Sequence, residues 1–177
     1  MTRPKVTVPY PNTYWVRPGQ FQAGEHPGDL SDDILMARLS GLLEAGIRTF
    51  VDLTEEREME PYYSFLRDLA EERGVEVTYL CIPIPDRGVP PVGTLRCILD
   101  VIDRSVADDN AAFVHCFAGI GRTGTVVGCY LQRHGLATQS DVIKKIAHLR
   151  RFMPIGREDS PHTPQQVQMV ENWKQGA

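Results

Sequence analysis

No apolar stretch in this chain is long enough to cross a membrane, and its opening residues, MTRPKVTVPYPN, lack the hydrophobic segment of a signal peptide. The cytoplasm is therefore the expected location, and no membrane partner is expected. Positive charge is also scarce: 19 basic minus 23 acidic residues leave a net charge of −4. No global positive field is available to hold a polyanion, so general nucleic-acid binding is not expected and any phosphate recognition has to be local. Internal repeats, low-complexity tracts and long blocks of like charge are missing too. The four cysteines, at 81, 97, 116 and 129, show no paired short spacing of the zinc or dithiol kind. Cys81, Cys97 and Cys129 are expected to be small buried hydrophobes in a reducing compartment, with Cys81 as a resolving thiol for Cys116 the alternative.

What remains is the composition of an ordinary globular protein, 42% hydrophobic and 24% charged over 177 residues, enough for one domain with a real core. The expected division is an N-terminal extension over 1–14 and a single domain over 15–177, acting as a monomer. Gly46, Gly74 and Gly135 each stand where a helix should end in a left-handed cap. After the first two come β-rich runs, 47–53 and 75–82. Between those runs, Tyr62, Phe65, Leu66, Leu69 and Ala70 share one helical face. A second helix is expected over 92–107, with Leu95, Ile98, Leu99, Ile102 and Val106 inward, and then the short apolar strand AAFVH. An earlier helix near 31–45 and a hairpin around YWVRPGQFQAGE precede this unit. Thr138 with Asp141, and Thr163-Pro164 with Gln166, read as helix starts. The fold class is thus α/β, a central mostly parallel sheet flanked by helices with right-handed crossovers.

The stretch FVHCFAGIGRTG, residues 113–124, sits where a parallel strand stops and the next helix opens. Ligands bind at that edge of open α/β sheets. A glycine-rich turn there directs backbone N–H groups inward as an anion cradle, and the helix dipole adds to the attraction. The same field favours a thiolate at the rim, which is where Cys116 stands. Arg122 adds a planar fork that grips two oxygens of a phosphate at once. The arrangement suits phosphoryl transfer to sulfur.

HCFAGIGRTG resembles the phosphate loop of the cysteine-dependent protein tyrosine phosphatase superfamily, in which His-Cys is followed by five residues, Arg, and then Ser or Thr. The Cys-x-Ala-Gly-x-Gly-Arg-Thr-Gly form and the chain length are most similar to the small dual-specificity phosphatases. The resemblance implies Cys116 as nucleophile through a phosphocysteine, Arg122 as phosphate and transition-state binder, and Thr123 as hydrogen-bond donor to the sulfur. His115 would order the loop. Phe117, Ala118, Gly119, Ile120 and Gly121 would line the phosphate beside Arg122, with no metal or other cofactor.

A phosphate ester also needs a proton for its leaving group. Asp100 and Asp103 fall on a polar helix face, Asp108 and Asp109 in a turn, and Asp141 at a cap, whereas Asp52 and Glu55 follow a strand at the correct edge of the sheet. Asp86, in CIPIPDRGVPP, is the preferred acid: it follows another strand at that edge, in a loop with four prolines. The superfamily's acid loop is a similar Pro-Asp about thirty residues before the cysteine, and the interval here is 30.

Gln165 or Gln166 would place the attacking water or else cap a helix. Glu55, Tyr62 and Tyr63 belong to a segment expected to wall the pocket. Arg150, Arg151 and Arg157 form either a basic patch or a solvated cluster. The substrate implied is a phosphorylated protein, with phosphotyrosine and phosphoserine/threonine both accepted. An inositol or lipid phosphate is the alternative within the superfamily, disfavoured because Phe117, Ala118 and Ile120 bring no lysine. A phosphate-binding module without turnover, and a sulfurtransferase or arsenate-reducing thiol enzyme, are the readings from other classes.

Overall fold

The computed structural model describes residues 7–28 and 31–177. The chain begins with an antiparallel hairpin of β1 (Thr13–Arg17) and β2 (Phe21–Glu25), turning at Arg17–Gln20. Then follow α1 (Asp32–Glu44), β3 (Ile47–Asp52), α2 (Tyr63–Glu72), β4 (Thr78–Cys81), α3 (Val92–Ala107) and β5 (Ala111–Cys116). Three helices close the chain: α4 (Gly121–Arg133), α5 (Val142–Arg150) and α6 (Pro164–Asn172). The sheet order is β1-β2-β5-β3-β4, and every pair except β1–β2 is parallel.

This is the expected mostly parallel α/β architecture. Gly46, Gly74 and Gly135 all take positive φ at helix ends, so each helix stops where the next segment must return to the sheet. Strand alternation then sorts the core into two layers. Ala112 and Val114 of β5 and Val51 of β3 pack under α3 to α6, with Leu95, Ile98, Val126, Val127 and Ile146. Ala111 and Phe113 face the other way, onto α1 and α2 through Leu39, Leu42, Tyr62 and Leu66. β5 is central and fully buried, as its unbroken apolar run requires.

Several boundaries differ from expectation. The folded unit takes in part of the segment read as an extension: Tyr10, Thr13 and Tyr14 are buried, and the Tyr10 hydroxyl donates to the Glu25 carbonyl at 2.7 Å. Residues 1–6 lie outside the described residues. β4 is shorter than the run 75–82, since Val75 and Val77 pack against the α1–α2 layer before the strand begins. α5 starts at Val142, not Thr138, because Thr138 spends both its N–H and its hydroxyl on Asp141 Oδ1, at 2.6 and 2.9 Å, in a turn. Cys129 is buried as expected, but Cys97 is exposed, standing beside Arg96 on the polar side of α3, and Cys81 is exposed on the edge strand β4.

Candidate active site

Because β2, β3, β4 and β5 are parallel, their carboxyl ends gather at one edge of the sheet, and the loops that follow them meet there. The last residue of β5 is Cys116, only 3% exposed, and α4 begins five residues later. The loop between them can be this tight because Gly119 holds φ at +70°. A Cβ on Gly119 would lie 2.4 Å from the Gly24 carbonyl carbon, so the end of β2 presses directly against it. The His26 N–H donates to the Phe117 carbonyl at 3.1 Å, binding the loop to β2 from the same side.

Arg122 and Thr123 lie in the first turn of α4 and turn inward. The Thr123 hydroxyl donates to Cys116 Sγ at 3.1 Å. The Arg122 guanidinium, 2% exposed, reaches across the ends of the neighbouring strands. Its Nη1 donates to the carbonyls of Leu53 at 3.3 Å and Ile84 at 3.1 Å. Both terminal nitrogens engage the two carboxylate oxygens of Glu58, and Nη2 lies 3.3 Å from Asp86 Oδ1. Nε carries no hydrogen bond to the described residues, and Arg122 borders the same cavity as the loop residues. The hydrogen bonds from Arg122 hold the Glu58 carboxyl below its ordinary 4.5 against the opposing effect of burial.

Asp86, Cys116, Phe117, Ala118, Ile120, Gly121 and Arg122 all line one cavity of about 180 Å³, together with Arg87 and His162. Every residue expected to act on phosphate thus borders that cavity or its loop, except Thr123, which stands behind the sulfur. Arg87 and His162 escaped the sequence reading. So did Glu58, although the segment that holds it is the one expected to wall the pocket.

The acid loop is anchored on two sides. Gly88 N–H closes a tight turn onto the Pro85 carbonyl at 2.8 Å, with Arg87 in the left-handed region at φ 59°. Gln166 Nε2 donates to the Gly88 carbonyl at 2.9 Å and Thr163 Oγ1 to the Arg87 carbonyl at 3.3 Å. Gln166 is fully buried and also completes a capping box with Thr163, so capping and bracing are joined in one side chain. Gln165 lines a separate hollow with His162 and Pro164. From the other side, Glu55 Oε2 accepts the Asp86 N–H at 2.9 Å.

Tyr62 does not wall the pocket. It is fully buried, and its hydroxyl lies 2.7 Å from His115 Nε2 on the face of the sheet opposite α4. Tyr63 stacks on Tyr79 with ring centroids 5.1 Å apart. Arg150 belongs to neither a basic patch nor a solvated cluster: it is completely buried and donates to the carbonyls of Glu158 at 2.6 Å and Ile155 at 3.3 Å. It braces the chain that leads to Ser160, whose hydroxyl in turn donates to the Ile120 carbonyl of the phosphate loop at 2.7 Å.

Behind the loop, donor atoms of His26, Asp52 and His115 lie within 4.8 Å of one another, the spacing of a metal cluster. Their lone pairs are largely taken. His26 Nδ1 accepts the Gly28 N–H at 2.9 Å, which assigns the ring proton to Nε2. Asp52 Oδ1 accepts the Thr54 N–H and hydroxyl at 2.9 and 2.6 Å, and Oδ2 accepts the Tyr79 hydroxyl at 2.8 Å. Each of the three is hydrogen-bonded to its own neighbours, while His115 Nδ1, 3.8 Å from Asp52 Oδ1, is buried without a hydrogen-bond partner among the described residues. Burial, and then His115 beside it, lowers the His26 ring from 6.5 to about 3; burial likewise lowers His115. For Asp52 burial acts upward, but His115, Thr54 and Tyr79 together outweigh it and leave the carboxyl below 3.8.

A thiol at the end of a central parallel strand, a hydroxyl donating to it, and an arginine opening the next helix define the cysteine-dependent protein tyrosine phosphatase class. Comparison with known proteins makes the assignment specific. Residues 32–136, more than half of the chain, match the family model described as "Polymorphic toxin system, DSP-PTPase phosphatase", and the protein belongs to that family. It is 38% identical over 86 residues to the dual specificity protein phosphatase CDC14B of Mus musculus, an alignment covering 49% of this chain and 16% of that protein. The chain therefore spans about a sixth of that relative's length. Among solved structures, Tk-PTP in its active form superposes with a TM-score of 0.67 at 24% identity, covering 93% of this chain and 97% of Tk-PTP. PTPMT1 in complex with PI(5)P superposes with a TM-score of 0.65 at 20% identity, covering 92% and 94%. These two likenesses bear on the fold.

Proposed function

We propose that the protein hydrolyses phosphate monoesters on proteins, phosphotyrosine and phosphoserine/threonine alike, through a phosphocysteine on Cys116. One observation carries the reading: Cys116 and Arg122 of the phosphate loop and Asp86, thirty residues before the cysteine, border a single cavity of about 180 Å³ at the open end of the sheet. In the first step the Cys116 thiolate attacks phosphorus, the bond to the leaving oxygen breaks, and Asp86 gives that oxygen its proton. Arg122, held by Glu58 and two carbonyls, together with the loop N–H groups, binds the equatorial oxygens, whose charge is spread in the transition state. In the second step water attacks phosphorus, Asp86 takes the water's proton, and the P–S bond breaks. The Thr123 hydroxyl, 3.1 Å from Sγ, stabilises the departing thiolate.

The cavity suits a terminal phosphate and little more. Phe117, 54% exposed, separates it from a hollow of about 760 Å³ walled by Met59, Pro61 and Phe65, which leaves space for the rest of a polypeptide substrate. Turnover of p-nitrophenyl phosphate in EDTA by the purified protein, abolished in Cys116→Ser and reduced about 10²-fold or more in Asp86→Ala, is the expected result. Full activity in Cys116→Ser overturns the nucleophile. Loss of turnover with phosphate still bound to the wild type identifies a binding module instead. Phosphopeptides and inositol phosphates compared side by side decide the substrate class, and a preference for the latter overturns the protein-substrate reading.

A further inference from the structure

Glu55 makes a contact that the two-step reaction does not require: its Oε2 accepts the backbone N–H of Asp86 at 2.9 Å. Three residues on, Glu58 holds both terminal nitrogens of Arg122. The two glutamates are themselves joined, since the Glu55 N–H donates to Glu58 Oε2 at 2.9 Å and the Glu58 N–H to the Glu55 carbonyl at 3.1 Å. Arg57, between them, is held in the left-handed region at φ 67°, so this turn keeps a conformation that a bulky side chain disfavours. One short turn after β3 thus grips the phosphate-binding side chain with one carboxylate and the acid's backbone with another.

We propose that Glu55 is a positioning residue for Asp86, and that the 55–58 turn fixes the acid loop relative to the arginine that holds phosphate. This rests on the phosphatase reading above and deepens it. The physical case is one of hydrogen-bond supply. The Asp86 side chain is 66% exposed, and Pro85 before it has no N–H to give. The Thr163 and Gln166 bonds reach only the carbonyls of Arg87 and Gly88, on the far side of the turn. On the near side the Ile84 N–H and carbonyl are held by Leu53 and Arg122, and Arg122 Nη2 lies 3.3 Å from Asp86 Oδ1. Glu55 adds the bond to the Asp86 backbone itself, charge-assisted and so stronger than a neutral one. Released from it, the loop keeps its anchors at Ile84, Arg87 and Gly88, but the backbone that carries the carboxyl is free to turn and the carboxyl loses its aim at the leaving oxygen. A misplacement of about 1 Å is enough to cost proton transfer heavily.

The test compares kcat/KM for phenyl phosphate, whose leaving group needs the proton, with that for p-nitrophenyl phosphate, whose leaving group needs it far less. Glu55→Ala is expected to lose about 10-fold with the first and about 2-fold with the second, while inhibition by inorganic phosphate stays within about 2-fold. Glu55→Gln, whose amide oxygen still accepts the Asp86 N–H, recovers most of the loss. In an Asp86→Asn background, Glu55→Ala adds no further loss, because the group it positions is gone. Equal losses with both substrates, an undiminished loss in the Asp86→Asn background, or a parallel loss of phosphate binding overturns the assignment of Glu55 alone. An inactive wild type, or an active Cys116→Ser, overturns the phosphatase reading and this proposal with it.

Discussion

Arg122 shows how much a single side chain can be asked to do. Its guanidinium is almost fully buried, and two carbonyls and a carboxylate satisfy its terminal nitrogens. Lysine offers neither the fork nor the second nitrogen, so Arg122→Lys leaves Glu58 partly unpaired and the phosphate held at one point. Steady-state kinetics should show a loss of about 10²- to 10³-fold in kcat/KM, the scale of removing one preorganised transition-state donor. His26 carries a different consequence. The unfolded chain binds a proton on this ring below about pH 6.5, whereas the folded ring does so only near about 3. Between those values acid favours the unfolded state, by at most roughly 1.4 kcal/mol per pH unit. Stability measured by urea unfolding should therefore fall from pH 7 toward pH 4. In His26→Asn that fall should be shallower, with His115 and, toward the acid end, the depressed carboxyls of Glu58 and Asp52 supplying the part that remains. An unchanged slope in the variant would show that other groups carry the acid sensitivity.

At the level of elements, strand order decides which groups can meet. β4 lies outside β3, and β3 lies between β4 and β5, with Cys81 in register with Asp52 and Asp52 with His115. Two strand spacings of about 4.8 Å put the Cys81 Cα roughly 10 Å from the end of β5, beyond the roughly 7 Å that a disulfide spans. Cys81 is thus no resolving thiol for Cys116. Mild peroxide treatment followed by mass spectrometry should yield Cys116 oxidation products without a Cys81–Cys116 cross-link, and recovery of that cross-linked peptide would mean the strand pairing opens. The helix α6 also works as an element: its capping box orders the very residues that reach the acid loop. Thr163→Ala removes one capping bond and one anchor together, and should cost about 1 kcal/mol in a denaturation measurement.

For the whole molecule, a net charge of −4 supplies no global positive field, so the attraction for phosphate is the local one at the cavity. Long-range steering of anionic substrates is absent, so kcat/KM for a phosphopeptide should change by less than about 3-fold between about 50 and about 200 mM salt. A steep decline would reveal a basic surface acting at a distance. Burying the phosphate binder also ties function to folding: Arg122 is assembled from the ends of β3, the acid loop and α4. A variant that loosens the sheet edge should therefore lose phosphate affinity before it unfolds.

The sequence by itself determined the phosphate loop, because Cys116, Gly119, Arg122 and Thr123 lie within eight consecutive residues and strand-to-helix geometry brings them together unaided. It also carried the order of the elements, since the capping glycines and the two hydrophobic periods are local signals. Only tertiary structure decided Glu58, whose partner is 64 residues away, and Glu55, which meets Asp86 across 31. The sequence places their segment at the pocket wall, yet nothing local in the run EEREME says which partner either carboxylate meets. Placing β3 beside β5 carries the turn after β3 to the mouth of the loop, where the buried arginine meets the Glu58 carboxylate and the Asp86 N–H meets that of Glu55. His26 became visible for the same reason, as β2 runs parallel to β5 and ends beside the loop. Arg150 points the other way: beside Arg151 it reads as surface charge, yet the core takes it because backbone carbonyls, rather than water, receive its protons.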